Sequence, residues 1–202
     1  TTRALGRLAA WHRAKFPVPV VAITGSIGKT TAKELTAAVL AARFNVLKAA
    51  SSFNNQWGLP LTLLRLGAEH QAAVVELGTN QRGEIAALAA IANPTIGVVT
   101  VVAPVHTEFL GSIEGVREEK AALVRALGTD GVAVLTADDP RVASMARECR
   151  GRVVTYGVAR TATVRAAGEL VDGETGLRFV LEVGERRVPV TLTLGGRHNV
   201  TN

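Results

Sequence analysis

The chain has 202 residues, 48% hydrophobic and 20% charged, so it has material for a sizeable core and is neither a disordered segment nor a multi-domain giant. Lys and Arg number 23 against 17 Asp and Glu, a balance of +6 without any run of five like charges, which argues against a nucleic-acid tail and suits a phosphate-bearing small molecule. Cys149 is the sole cysteine, which excludes an intrachain disulfide framework and a Cys-rich zinc site. No apolar run reaches the roughly 18 residues of a membrane span, and no secretory signal opens the chain. The expectation is a cytoplasmic, monomeric piece of a longer protein.

Residues 2–15 read as a short amphipathic helix with Leu5, Leu8 and Trp11 on its inner face. Pro17 and Pro19 then break it, since proline neither continues a helix nor donates a ladder bond. From residue 18 apolar runs alternate with helical segments. Strands are expected at 18–24, 45–49, 72–77, 95–101, 132–136 and 153–156, and helices at 30–43, 60–66, 83–92, 113–127 and 140–149. Continuous apolar strands between helices specify a parallel sheet covered on both faces. After about Gly157 the pattern changes: 161–171, 177–183 and 186–194 read as three strands, with turns at Asp172-Gly173 and Gly184-Glu185. The fold class expected is α/β: a phosphate-loop type, mostly parallel sheet with helices on both faces, plus a small antiparallel extension near the C-terminus. Residues 1–17 form a lead-in helix and linker, and residues 18–202 one domain.

The most informative stretch runs Thr24-Gly25-Ser26-Ile27-Gly28-Lys29-Thr30-Thr31, where an apolar strand enters a glycine turn and Lys29-Thr30 opens a helix. Phosphates gain there from convergent backbone N–H groups and the positive end of a helix. Lys29 would reach the outer phosphates and the Thr30 hydroxyl would ligate magnesium. The usual pattern has Gly where this chain has Ile23; an ordinary strand–turn–helix joint is the bland alternative.

Glu76 ends an apolar strand, at the sheet edge where open parallel sheets bind ligands, and would be a second hard oxygen donor for magnesium beside Thr30; a solvated glutamate starting a loop is the alternative. His106 follows another apolar run, at 96–102, and is otherwise an exposed loop histidine. Asn54, Asn55 and Asn80 fall in loops at the same edge, where asparagine also serves its own turn. On helix 113–127, Lys120 interrupts the stripe of Ile113, Val116, Leu123 and Leu127. Burial there disfavours the ammonium form, unless the side chain snorkels to water.

Seven segments in order resemble the Mur ligases, which build the peptide stem of bacterial cell wall. They are the phosphate loop; Phe53-Asn54-Asn55-Gln56-Trp57-Gly58-Leu59-Pro60; Glu76-Leu77-Gly78-Thr79-Asn80; Gly83-Glu84-Ile85; His106-Thr107-Glu108 with Gly111-Ser112-Ile113-Glu114-Gly115-Val116; Glu119-Lys120; and Gly196-Arg197-His198-Asn199-Val200-Thr201-Asn202. The resemblance implies the central ATPase domain of a three-domain, ADP-forming ligase that uses ATP and two magnesium ions. Within the family the segments look most like members that join D-alanyl-D-alanine to UDP-N-acetylmuramoyl-tripeptide through an acyl phosphate. It implies that residues 24–31 and Asn199 bind the nucleotide, and that Asn54, Asn55 and Asn80 border the substrate and γ-phosphate. It also implies that Lys29, His106 and Lys120 act in catalysis, and that Thr30, Glu76, His106 and a carbamylated Lys120 hold the metals. Folylpolyglutamate or cyanophycin synthesis, and a non-catalytic nucleotide-binding module, stay open as alternatives.

Overall fold

The computed structural model describes residues 1–50, 53–105, 107–173 and 176–201, with residues 169–173 as backbone only. Nine strands make one sheet in the order β2-β3-β1-β4-β5-β6-β7-β8-β9. They are β1 (Val20–Thr24), β2 (Val46–Lys48), β3 (Ala72–Glu76), β4 (Ile96–Val99), β5 (Val132–Thr136), β6 (Arg152–Gly157), β7 (Val164–Gly173), β8 (Gly176–Val183) and β9 (Arg186–Leu192). The helices are α1 (Thr2–Arg13), α2 (Lys29–Ala41), α3 (Gly58–Leu63), α4 (Glu84–Ala92), α5 (Thr107–Leu110), α6 (Ile113–Arg125) and α7 (Pro140–Ser144). Short 3₁₀ turns cover Met145–Glu148 and Arg197–Val200.

Strands β2 to β6 are parallel, as their apolar runs require. The central pair, β1 and β3, is buried at every position. Coverage of the two faces is lopsided. On one face α2 lays Ala32, Ala37 and Leu40 against Val21, Ile23 and Val74. The other face packs α1, α3, α4, α6 and α7 over Ala22, Val75, Val99 and Leu135. Burial therefore alternates along β4, whose Ile96 and Val98 are only half-buried on the α2 side.

Several elements depart from expectation for local reasons. The buried face of α1 is Gly6, Ala9 and Arg13, while Leu8 and Trp11 are 50% and 60% exposed. Small residues win because α1 lies close on α4: a Cβ on Gly6 would sit 2.9 Å from Ile91 Cδ1. Arg13 then locks the joint, donating to the carbonyls of Phe16, Val18 and Ala92. Helix α3 begins at Gly58, ahead of Pro60, because the Asn55 side chain accepts from the N–H groups of Trp57 and Gly58, and proline is tolerated in a first turn. The turn expected at Asp172-Gly173 is strand, since β7 runs through Gly173. The helix expected over 140–149 tightens into a 3₁₀ turn at Met145, and α5 and the turn at Arg197 were not foreseen.

Parallel β6 and β7 are joined by only six residues, where a crossover of a dozen or more is usual. The short link suffices because the strands overlap at two pairs alone, Tyr156 with Val164 and Gly157 with Arg165. From that seam β7 runs on past the carboxyl edge of the parallel strands, and β8 and β9 fold back on it antiparallel. The antiparallel extension is thus a wing overhanging the sheet edge at which the loops after β1, β3, β4 and β5 gather.

Candidate functional site

Strand order reverses at β1, flanked by β3 on one side and β4 on the other. Such a switch point opens a crevice beyond the carboxyl ends of the strands. The glycine turn after β1 lies there. Gly25, at φ 145°, passes so close to β4 that a Cβ would fall 1.9 Å from Thr100 Oγ1. Ser26 N–H donates to Val101 O, and the Ser26 hydroxyl both donates to Ala103 O and accepts from Ala103 N–H, so the turn is stitched to the segment after β4. Thr24 donates to Leu77 O and Thr100 to Ile27 O, fixing the turn from both neighbouring strands. Gly28, at φ 84°, leads into α2 with no side-chain cap on that helix. The first turn, Lys29, Thr30 and Thr31, thus presents its amide groups to the crevice, an arrangement suited to an anion.

Four predicted residues meet. The Thr30 hydroxyl donates to Glu76 Oε2 at 2.9 Å, and Asn54 Nδ2 donates to Glu76 Oε1 at 2.8 Å. Lys29 folds back on its own loop, its ammonium 3.0 Å from Gly25 O and 3.3 Å from Ser26 O. Burial lowers the Lys29 pKa, with the Glu76 charge opposing the shift. Asn54, Asn55 and Asn80 line a cleft of about 230 Å³ together with Lys29 and Glu84. The Asn55 side-chain oxygen is committed to capping α3, and Asn80 presents its backbone N–H to Glu84.

Lys120 is 2% exposed, on the buried stripe of α6 with Val116 and Leu123, which buried Leu127 continues beyond the helix end. Its pKa falls to about 8, chiefly through burial and then through the positive charge of Lys29, with Glu119 and Glu84 opposing. The Lys29 and Lys120 ammonium groups are thus close enough to repel, Lys29 at the cleft wall and Lys120 buried behind it, and an anion near both would relieve the repulsion. His106 lies outside the described residues, as does Asn202. The described residues bring no three His, Cys, Asp or Glu side chains together as a metal cluster. The Thr30 hydroxyl and Glu76 carboxylate nevertheless converge at the phosphate turn, a hard-oxygen pair that fits magnesium.

A second cleft, on the other side of the turn, is lined by Ile27, Thr100, Thr136, Asp138, His198 and Thr201. His198, rather than Asn199, faces it; Asn199 Nδ2 donates to Gly195 O at 2.7 Å. Asp139 holds its wall by accepting from Val102 N–H and Arg141 N–H.

Sequence reasoning assigned no role to Thr79, Glu84 or Glu119, yet Thr79 and Glu84 line the first cleft and Glu119 anchors the start of α4 behind it. Glu119, buried on α6, accepts from Gly83 N–H at 2.7 Å and Ile85 N–H at 2.8 Å, capping α4 from another helix. Glu84 accepts from the N–H groups of Asn80 and Gln81 and from the Thr79 hydroxyl. One clue was legible: α4 opens on Gly83, which has no capping side chain, and Glu84 follows it.

A sequence profile described as "Mur ligase middle domain" matches residues 23–202. The UDP-N-acetylmuramoyl-tripeptide–D-alanyl-D-alanine ligase of Escherichia coli K12 is 38% identical over 203 residues, covering 100% of this chain and 45% of the relative. Among solved structures, MurF from Acinetobacter baumannii superposes with a TM-score of 0.92 at 31% identity, over 100% of this chain and 44% of that one. MurF ligase from Thermotoga maritima, in complex with ADP, gives 0.88 at 27% identity, over 99% and 46%. The chain thus spans less than half the length of these relatives.

Proposed function

The chain belongs to the Mur ligase family, as its middle domain, and on that premise we propose that it is the ATP-binding part of an ADP-forming carboxylate–amine ligase. The substrates proposed for the whole protein are UDP-N-acetylmuramoyl-tripeptide and D-alanyl-D-alanine, those in the name of the Escherichia coli relative. The site of action proposed is the cytoplasm; no helix among the described residues is long and apolar enough to cross a membrane.

The observation that carries this reading is the Thr30–Glu76–Asn54 chain of hydrogen bonds beside Lys29. It brings a hard-oxygen pair and an ammonium together at the mouth of one glycine turn, which supports metal and phosphate binding there. In the reaction proposed, a substrate carboxylate oxygen attacks the γ-phosphorus and ADP leaves, giving an acyl phosphate. The amine then attacks the acyl carbon, and the tetrahedral intermediate expels phosphate. Residues 24–31 grip the polyphosphate, and Lys29 leaves its loop carbonyls to offset charge on the transferring group. Thr30, Glu76, His106 and Lys120 would hold the magnesium ions, which neutralise phosphate charge and orient the transferring group. Lys120 serves as a carbamate: its pKa near 8 leaves about a tenth of it neutral at pH 7, and that amine forms a C–N bond to carbon dioxide with loss of a proton. Asn54, Asn55 and Asn80 border the substrate. Asn199 and His198 are the base-proximal candidates, with His198 the one that lines the second cleft.

Calorimetric titration with magnesium and a non-hydrolysable ATP analogue tests the premise. Wild type should give binding heat that Lys29→Ala abolishes. Equal binding by both removes the assignment.

A further inference from the structure

Lys33 is fully buried, four residues after Lys29 on α2, and nothing in the chemistry above uses it. Its ammonium donates to Ala49 O at 3.0 Å and lies 3.1 Å from Glu34 Oε1; the other Glu34 oxygen pairs with Lys48. Burying a cation is costly unless its bonds repay it, and an apolar side chain would fill the same space without that cost. Among the described residues the ammonium ties the Ala49 backbone oxygen, and the place of that oxygen is informative. Ala49 follows β2 at the carboxyl edge of the sheet, where its N–H continues the ladder to Val74 O. The chain then passes to Asn54, whose carbonyl accepts from Gly78 N–H and whose amide holds Glu76. Gly78 approaches so closely that a Cβ would meet the Asn54 side chain at 2.7 Å.

The contacts close a ring. From Thr30 it runs through Glu76 to Asn54, back along the chain to Ala49, across to Lys33, and one turn up α2 to Thr30. We propose that Lys33 is a positioning residue, tying the Asn54 segment to the helix that opens the phosphate loop so that a bound nucleotide tightens the loop bordering the substrate. This rests on the nucleotide reading of the site. Ordering of α2's first turn by phosphate reaches Asn54 by two routes, through Glu76 and through Lys33, and the segment is held at both ends only while both exist.

Hydrogen exchange read by mass spectrometry on the 202-residue chain, with and without magnesium and a non-hydrolysable ATP analogue, tests this. Each variant is compared with its own nucleotide-free state, so a general loss of stability does not enter. In wild type the analogue should slow exchange at residues 25–32 and at residues 53–58. In Lys33→Met, protection at 25–32 should persist while that at 53–58 falls at least threefold. Should Lys33→Met not fold, Lys33→Gln, which is shorter and uncharged and leaves Asn54 and Glu76 intact, is read in the same way, and the same split is expected. Undiminished protection of 53–58 in the variant, or none there in wild type, overturns the proposal. No protection at 25–32 in wild type overturns the nucleotide reading instead, and the proposal falls with it.

Discussion

Lys120 shows how one buried side chain can carry both a cost and a use. An unfolded lysine keeps its proton to about pH 10.5, whereas in the folded chain burial and Lys29 bring the pKa to about 8. Below that value both states are protonated and the folded state bears the full penalty. Between about 8 and 10.5 only the unfolded state binds the proton, so stability rises with pH across that window. The gain should be on the order of 3 kcal/mol relative to Lys120→Met, read from urea melts in carbon-dioxide-free buffer. A difference that stays flat over the window would contradict the burial argument. The sequence exposed this residue because a lysine breaking an apolar stripe is a local anomaly. It did not expose Glu119 beside it, since the donors that the carboxylate satisfies, Gly83 and Ile85, lie more than thirty residues away.

At the scale of elements, α4 depends on a cap that it does not itself encode. Glu119 takes two of its leading N–H groups, and Thr79 and Glu84 draw the preceding loop onto the same end. Removing the carboxylate orphans buried donors, so Glu119→Ala should cost about 2–3 kcal/mol, and Glu119→Gln less because one amide oxygen still accepts. Chemical denaturation of the three proteins would show this ordering, and equal midpoints would refute the capping role. The parallel strands and their helices were legible because hydrophobic period is a local property of the chain. The face of α1 was not. Leu5, Leu8 and Trp11 make the stronger apolar stripe, yet close packing on Ile91 selects Gly6 and Ala9. The two-pair seam between β6 and β7 was equally invisible, since so brief a register leaves no pattern in either strand. The phosphate turn and the oxygen pair Thr30 and Glu76 were legible because motif and strand end placed them at one edge; the second cleft was not, since its lining, from Ile27, Thr100, Thr136 and Asp138 to His198, comes from segments far apart in the chain.

For the molecule as a whole, the clefts open at the sheet edge and the chain spans under half the length of its relatives. Enzymes that close domains or loops around a substrate exclude water by doing so, and a chain with its clefts open at the sheet edge is expected to bind nucleotide yet form no amide bond. Incubation with ATP, magnesium and both peptide substrates should yield no pentapeptide by mass spectrometry, and robust product would show that these 202 residues suffice. The wing has a separate consequence. It reaches back over the second cleft through His198 and Thr201, while it meets the parallel strands at two residue pairs. A nucleotide lying across both clefts would be gripped at one end by the rigid sheet and at the other by a lever on a narrow joint. If the wing makes its contacts only after the nucleotide has docked on the sheet, loosening the seam between β6 and β7 should shorten the bound lifetime more than it slows association.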